Sequence, residues 1–167
     1  MAEIQAFSMN SDDPVEISTG VTMQLSDSGM KKYILNTPRI EKYIIEEQEI
    51  YKFPIGFELL TFDTLGVQVT SISANKGSMK QKLGEIVLED SVRILNVNQE
   101  QLKTELLNVF LEQDSICTNK PVTVSSLAGT LTGKFGLTSD LNFTEYEMHK
   151  VDGEIETKEI YDEREEK

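Results

Sequence analysis

Gln99-Glu100-Gln101-Leu102-Lys103-Thr104-Glu105-Leu106-Leu107-Asn108-Val109-Phe110-Leu111-Glu112-Gln113 admits two readings, and the fold class turns on the choice. As a helix, Leu102, Leu106, Val109 and Phe110 fall at i, i+4, i+7 and i+8, one face of a 3.6-residue period. Asn98 with Gln101 would cap its start. As a strand, Leu102, Thr104 and Leu106 share one face, and Leu107, Val109 and Leu111 the other. The strand reading needs a phase flip, hence a bulge. Taken alone, the local pattern leans to helix.

The flanking sequence leans the other way. Val15, Ile17, Val21, Met23 and Leu25 are separated by polar residues at period two, as are Tyr33 and Leu35 up to Pro38. This is the pattern of a half-buried strand. Arg39 to Lys52 fits helix or strand. Phe53, Ile55, Phe57 and Leu59 alternate around Pro54, which points to an edge, a strand start or a bulge. Ile86 and Leu88 share a face, as do Val92 and Ile94, with a bulge or tight turn expected at Asp90-Ser91. Val122 and Val124 form another strand. Leu131, Phe135, Leu137, Leu141 and Phe143 hold one parity, and Gly133 and Gly136 between them mark bending or close backbone approach. Turn clusters recur roughly every 35 residues: Ser26-Asp27-Ser28-Gly29, Asp63-Thr64-Leu65-Gly66, Asn96-Val97-Asn98-Gln99 and Leu127-Ala128-Gly129. Such a period describes stacked β layers, each burying its apolar face against its neighbours.

Composition narrows the function. A chain of 167 residues is one domain with room for a core. It carries no apolar run of membrane-spanning length and no signal-peptide pattern. The net charge of -13 argues against nucleic acid, whose phosphates need a basic stripe. Cys117 is the single cysteine and reads as a small buried residue; His149 is the single histidine and reads as part of a solvated segment. No nucleophile elbow, phosphate-binding loop or dinucleotide fingerprint is present, so neither an enzyme nor a cofactor is expected.

A family resemblance gathers these elements. Phe53-Pro54-Ile55-Gly56-Phe57, Phe62-Asp63, Gly66, Ala74, Gly77 and Asp90-Ser91-Val92-Arg93-Ile94 resemble the middle of the LptC family of lipopolysaccharide export. So do Leu102-Lys103-Thr104-Glu105 with Leu107, then Ile116, Thr118, Val122, Val124, Gly129, Gly133 and Gly136-Leu137. The resemblance runs from about Val15 to Val151. It implies an all-β fold, an OstA-like β-jellyroll of two antiparallel sheets folded as an open sleeve, and it turns the Gln99–Gln113 stretch into strand. The expected layout is a flexible segment over 1–13, a lipid-carrying jellyroll over 14–151, and an acidic tail over 152–167, disordered or weakly helical.

The resemblance also implies a role. Lipopolysaccharide acyl chains would lie between the sheets, against Leu35, Phe53, Phe57, Leu59, Ile86, Leu88, Ile94, Val124, Phe135 and Phe143. The C-terminal edge, with Tyr146, Met148 and Val151, would meet an LptA-like bridge protein. The N-terminal edge would meet the transporter subunits LptF and LptG. The family is periplasmic and anchored to the inner membrane by an N-terminal helix; none is written in this chain, so a truncated form is expected. Edge-to-edge self-association stays open. The competing expectation is a β-sandwich interaction or adhesion module with a closed core and no lipid.

Overall fold

The structure is a computed structural model and describes residues 13–80, 84–149 and 151–155. Fourteen strands make up one antiparallel sheet, and no helix occurs among the described residues. They are β1 (Glu16–Asp27), β2 (Met30–Ile45), β3 (Gln48–Phe53), β4 (Phe57–Phe62), β5 (Gln68–Ala74), β6 (Lys76–Lys80) and β7 (Glu85–Asn96). Then follow β8 (Gln101–Phe110), β9 (Ser115–Thr118), β10 (Val122–Ser126), β11 (Gly129–Gly133), β12 (Leu137–Asp140), β13 (Tyr146–Met148) and β14 (Val151–Ile155). No helix among the described residues is long and apolar enough to cross a membrane.

The pairings resolve into a meander of long rungs, each bent near its middle. One wing of the sheet runs β2–β4–β5–β7–β8–β10–β11–β14. The other runs β2–β3–β6–β7–β8–β9–β12–β13. β1 lies along β2 across both wings. Only β2, β7 and β8 cross the bend unbroken beside β1; the remaining rungs are strand pairs interrupted there. The bends coincide with residues that leave the ordinary strand conformation: Gly20 (φ 59), Gly56 (φ 137), Asp90 and Ser91 (φ 68 and 53) and Gly136 (φ 105). At Asp90-Ser91 two residues of β7 face one of β8, the bulge expected there.

The recurring turns all fall at the free edge of the first wing. Each returns the chain after two rungs, which explains the period. Their Asp, Asn and Ser residues cap the turn with their own side chains. Asp63 Oδ1 accepts from the amides of Leu65 and Val67, both at 2.9 Å. Asn96 Oδ1 accepts from those of Asn98 and Glu100, and Ser126 Oγ from that of Ala128.

The stretch with two readings is a strand. β8 is paired on both sides, with β7 on one and with β9 and β10 on the other. Leu102, Thr104, Leu107 and Val109 are all buried. The phase flip is real, and it sits at the bend, so Leu102 and Thr104 before it and Leu107 and Val109 after it reach the same interior, while Leu106 is half-buried. Helical periodicity fits Leu102 and Leu106 locally, but a helix would leave the backbones of β7, β9 and β10 without partners. Arg39 to Lys52 is a β2–β3 hairpin turning at Glu46-Glu47.

The expected tail boundary at 152 moves. Strand pairing with β11 continues from Val151 to Ile155, opposite Gly133 to Gly129. The expectations for 1–12 and 156–167 lie outside the described residues.

Candidate functional site

Inward-facing residues of the first wing form one apolar row across the meander. Cross-strand partners link Met23, Leu35, Leu59, Ile72, Ile94, Leu102, Val124 and Leu131 in that order. On the second wing Phe53, Gly77, Leu88 and Leu107 are linked likewise. In the middle of the stack the space between the wings is filled: Phe53, Leu59, Ile72, Ile86, Leu88, Ile94, Leu102 and Leu107 have no accessible surface.

At the β1 end the wings part. An apolar cleft of about 380 Å³ opens between Met23, Leu25, Tyr33 and Leu35 on one side and Met79, Gly84 and Leu111 on the other. Lys32, Ser26 and Glu112 stand in its lining as the polar groups. Lys31 places its ammonium 4.0 Å from the centre of the Phe62 ring. Against a net charge of -13, the cleft end thus carries two adjacent lysines.

Nine of the ten residues expected inside are buried: Leu35, Phe53, Phe57, Leu59, Ile86, Leu88, Ile94, Val124 and Phe143. Of these, Leu35 alone lines the cleft. Phe135 is corrected. It is 58% exposed, on the bend between β11 and β12 and outside both strands, although Gly133 before it and Leu137 after it keep the buried parity. Met23, Leu25, Tyr33, Met79 and Leu111 were missed as lining residues. Met23 and Leu25 stood in a legible alternating run. Met79 lies on a five-residue strand beside a turn, too short for alternation to weigh, and Leu111 stood in the Leu107–Val109–Leu111 run; only closure of the wings aims them at the cleft.

Both ends of the meander present unpaired strand edges among the described residues. β1 pairs with β2 alone, β13 with β12 alone, and β14 with β11 alone. Tyr146 and Met148 are on β13, and Val151 begins β14. The side chains of Tyr146 and Met148 nevertheless turn inward and pack against the core.

A loop crosses between the wings near this end. From β12 the chain passes through Leu141, Asn142 and Phe143 before returning as β13. Asp140 holds the base: its carboxylate accepts from the Thr144 and Glu145 amides and from the Thr144 hydroxyl. Burial raises the Asp140 carboxyl, but hydrogen bonds from Glu145, Thr144 and Ser139 outweigh it and hold the group below the usual carboxylate range. The tip docks on the far wing. Thr61 Oγ1 donates to Asn142 Oδ1 and Thr70 Oγ1 to the Asn142 carbonyl, both at 2.8 Å. Asn96 Nδ2 donates to the Phe143 carbonyl, also at 2.8 Å.

Tyr146 completes the contact. Its ring stacks on Phe143 with centroids 4.7 Å apart, and its hydroxyl donates to Glu100 Oε2 at 3.2 Å. Burial, together with the Glu100 charge and hydrogen bond, pushes the Tyr146 hydroxyl from 10.0 to about 12. The raised value means that the folded state keeps the proton longer than the unfolded chain. The stability from this group is therefore complete below pH 10 and is lost as pH rises from 10 to about 12. In urea titrations across that window, Tyr146→Phe is expected to lose less stability than the parent. Equal slopes would remove the assignment.

Among the described residues no three His, Cys, Asp or Glu side chains group to hold a metal ion. Burial pushes the Cys117 thiol up, away from the thiolate that reacts.

No curated protein matches the chain. The family model "Lipopolysaccharide-assembly, LptC-related" matches residues 5–156, which takes in all fourteen strands. The bent antiparallel sleeve and this match place the chain in the LptC-related lipopolysaccharide-assembly family, whose members are periplasmic proteins of lipopolysaccharide transport.

Proposed function

We propose that this protein is the bridge component that takes lipopolysaccharide from the inner-membrane ABC transporter and passes it toward the outer membrane. The observation that supports this most is the apolar cleft at the β1 end, set directly beneath an unpaired strand edge. Its volume is more than twice the ~150 Å³ of an apolar cavity that binds benzene. Part of an acyl chain fits, with a gain of about 0.8 kcal/mol for each methylene buried. Lys32 at the cleft suits a lipid phosphate.

The β1 edge would receive a strand from LptF or LptG, and the β13–β14 edge would add to an LptA-like jellyroll. Backbone hydrogen bonds supply the affinity in such strand addition. Natural sheets normally blunt exposed edges, so the 12-residue β1, unpaired on its outer side among the described residues, points to a partner. An N-terminal helix would hold the assembly at the inner membrane, and a partner ATPase would drive the flow. The second reading, a closed interaction module, draws on the dry middle of the stack.

A photo-crosslinking amino acid at Met23 is expected to capture lipopolysaccharide, and one at Leu127, 86% exposed on a turn, is not. Loaded protein should then pass lipopolysaccharide to an LptA-like acceptor, and a chain ending at Lys150, which lacks β14, should not. Equal capture at both positions, or none at Met23, would sink the lipid reading. Undiminished transfer from the shortened chain would sink the edge assignment.

A further inference from the structure

The cleft does not continue down the sleeve; its lining ends at β1, β2, Met79, Gly84, Leu111 and Glu112. Tyr33 lines the cleft, and its cross-strand partner Thr61 grips Asn142. From there Thr61, Thr70 and Asn96, themselves consecutive cross-strand partners, form a polar row that is 1%, 1% and 6% exposed. Buried polar side chains need partners. Across the seam, side-chain hydrogen bonds from these three reach two residues of the loop, Asn142 and Phe143. Leu141 and Phe143 meanwhile have no accessible surface and fill the space between the wings.

We infer that the Leu141–Tyr146 loop is a gate across the cargo path, with Phe143 as its plug and the Thr61–Thr70–Asn96 row as its latch. The inference rests on the lipid-carrying reading given above. Three features distinguish this loop from a fixed piece of core. It is held to the far wing by four side-chain hydrogen bonds, three at its tip and the Tyr146 hydroxyl to Glu100, and by no strand ladder, so it can leave without unzipping the sheet. Phe143 is held at φ 55, a conformation that a bulky residue seldom adopts unless its surroundings impose it. Asp140 binds the loop's return strand to its own base, so the tip can swing as one unit on β12. The apolar row that starts at Met23 runs unbroken past the plug to Val124 and Leu131, on the last rungs before the C-terminal edge. Acyl chains displacing Phe143 would find an equivalent apolar surface on the far side. The latch would re-form behind them.

The test uses one protein in two states. Cysteines are placed by Thr61→Cys and Asn142→Cys in a Cys117→Ser background and bridged with a short bis-methanethiosulfonate that dithiothreitol removes. Crosslinking amino acids at Met23, before the plug, and at half-buried Leu131, beyond it, report where purified lipopolysaccharide reaches. With the bridge in place, capture at Met23 is expected to persist and capture at Leu131 to fall at least tenfold; reduction should restore it. Thr61→Val with Thr70→Val, which keeps shape but removes both hydroxyl donors, should raise capture at Leu131 several-fold. Equal Leu131 capture in the bridged and reduced states, with Met23 capture intact, overturns the gate alone. So does a loss at Leu131 that reduction does not reverse. Absence of capture at Met23 in every protein overturns the lipid reading, and the gate with it.

Discussion

Gly136→Ala is expected to cost about 4 kcal/mol or more, among the largest effects a single methyl can have. A Cβ at this position would land on the Thr118 carbonyl oxygen, with Asn119 Cα only 2.8 Å away. Both obstacles are backbone, so no rotamer change relieves them. Gly136 also sits at φ 105, which side chains rarely adopt. The glycine is where the β11–β12 rung passes beneath the bend of β9 and β10. Its carbonyl accepts from the His149 amide at 3.0 Å, so the last rung is registered from the same point. For a domain of this size the melting temperature should fall by about 8–16 °C. Gly66→Ala is the control: φ 80 but open space around it, and a cost of about 1–2 kcal/mol. Thermal melts of the two variants within a few degrees of each other would refute the clash.

The second large effect is Phe53→Ala, expected to cost about 3–5 kcal/mol. Phe53 has no accessible surface and lies 5.0 Å, centre to centre, from the Phe57 ring across the Pro54–Gly56 bend. It also fills the space left by its cross-strand partner Gly77, where a Cβ would meet Leu88 Cδ2 at 2.9 Å and Phe53 at 3.3 Å. Large and small residues thus interlock on neighbouring rungs, and alanine at position 53 leaves a void beside Gly77, which has no side chain to fill it. Phe135→Ala, on an exposed ring, should change stability by no more than about 0.5 kcal/mol. A chemical denaturation series reads both. A loss at Phe53 as small as that at Phe135 would show that the bend tolerates a cavity.

Much of this architecture could be read along the chain. The turn residues at Asp63, Asn96 and Ser126 announce themselves because their side chains cap their own turns, a local interaction that needs no tertiary partner. Leu35, Leu59, Ile86, Leu88, Ile94 and Val124 were legible as interior because each lies inside a straight segment where alternation holds. Phe135 was not, since it sits on the bend itself, outside either strand, while its parity holds at Leu137, Leu141 and Phe143. Gln101 to Phe110 misleads at a bend too: the flip across Glu105-Leu106 makes a bent strand imitate a helix face.

The sequence alone therefore determined the all-β class, the spacing of the rungs, most of the apolar row and the family to which the chain belongs. These follow from interactions between residues close in the chain, or from residue order itself. The tertiary structure alone decided where the wings part and where they are stapled. Met79 and Leu111 face Met23 only because two wings fold over one bend line. Thr61 and Asn142 are 81 residues apart and meet across the seam. Contacts at that separation leave no periodicity behind, so nothing along the chain marks a threonine in one wing as the latch for an asparagine in the other.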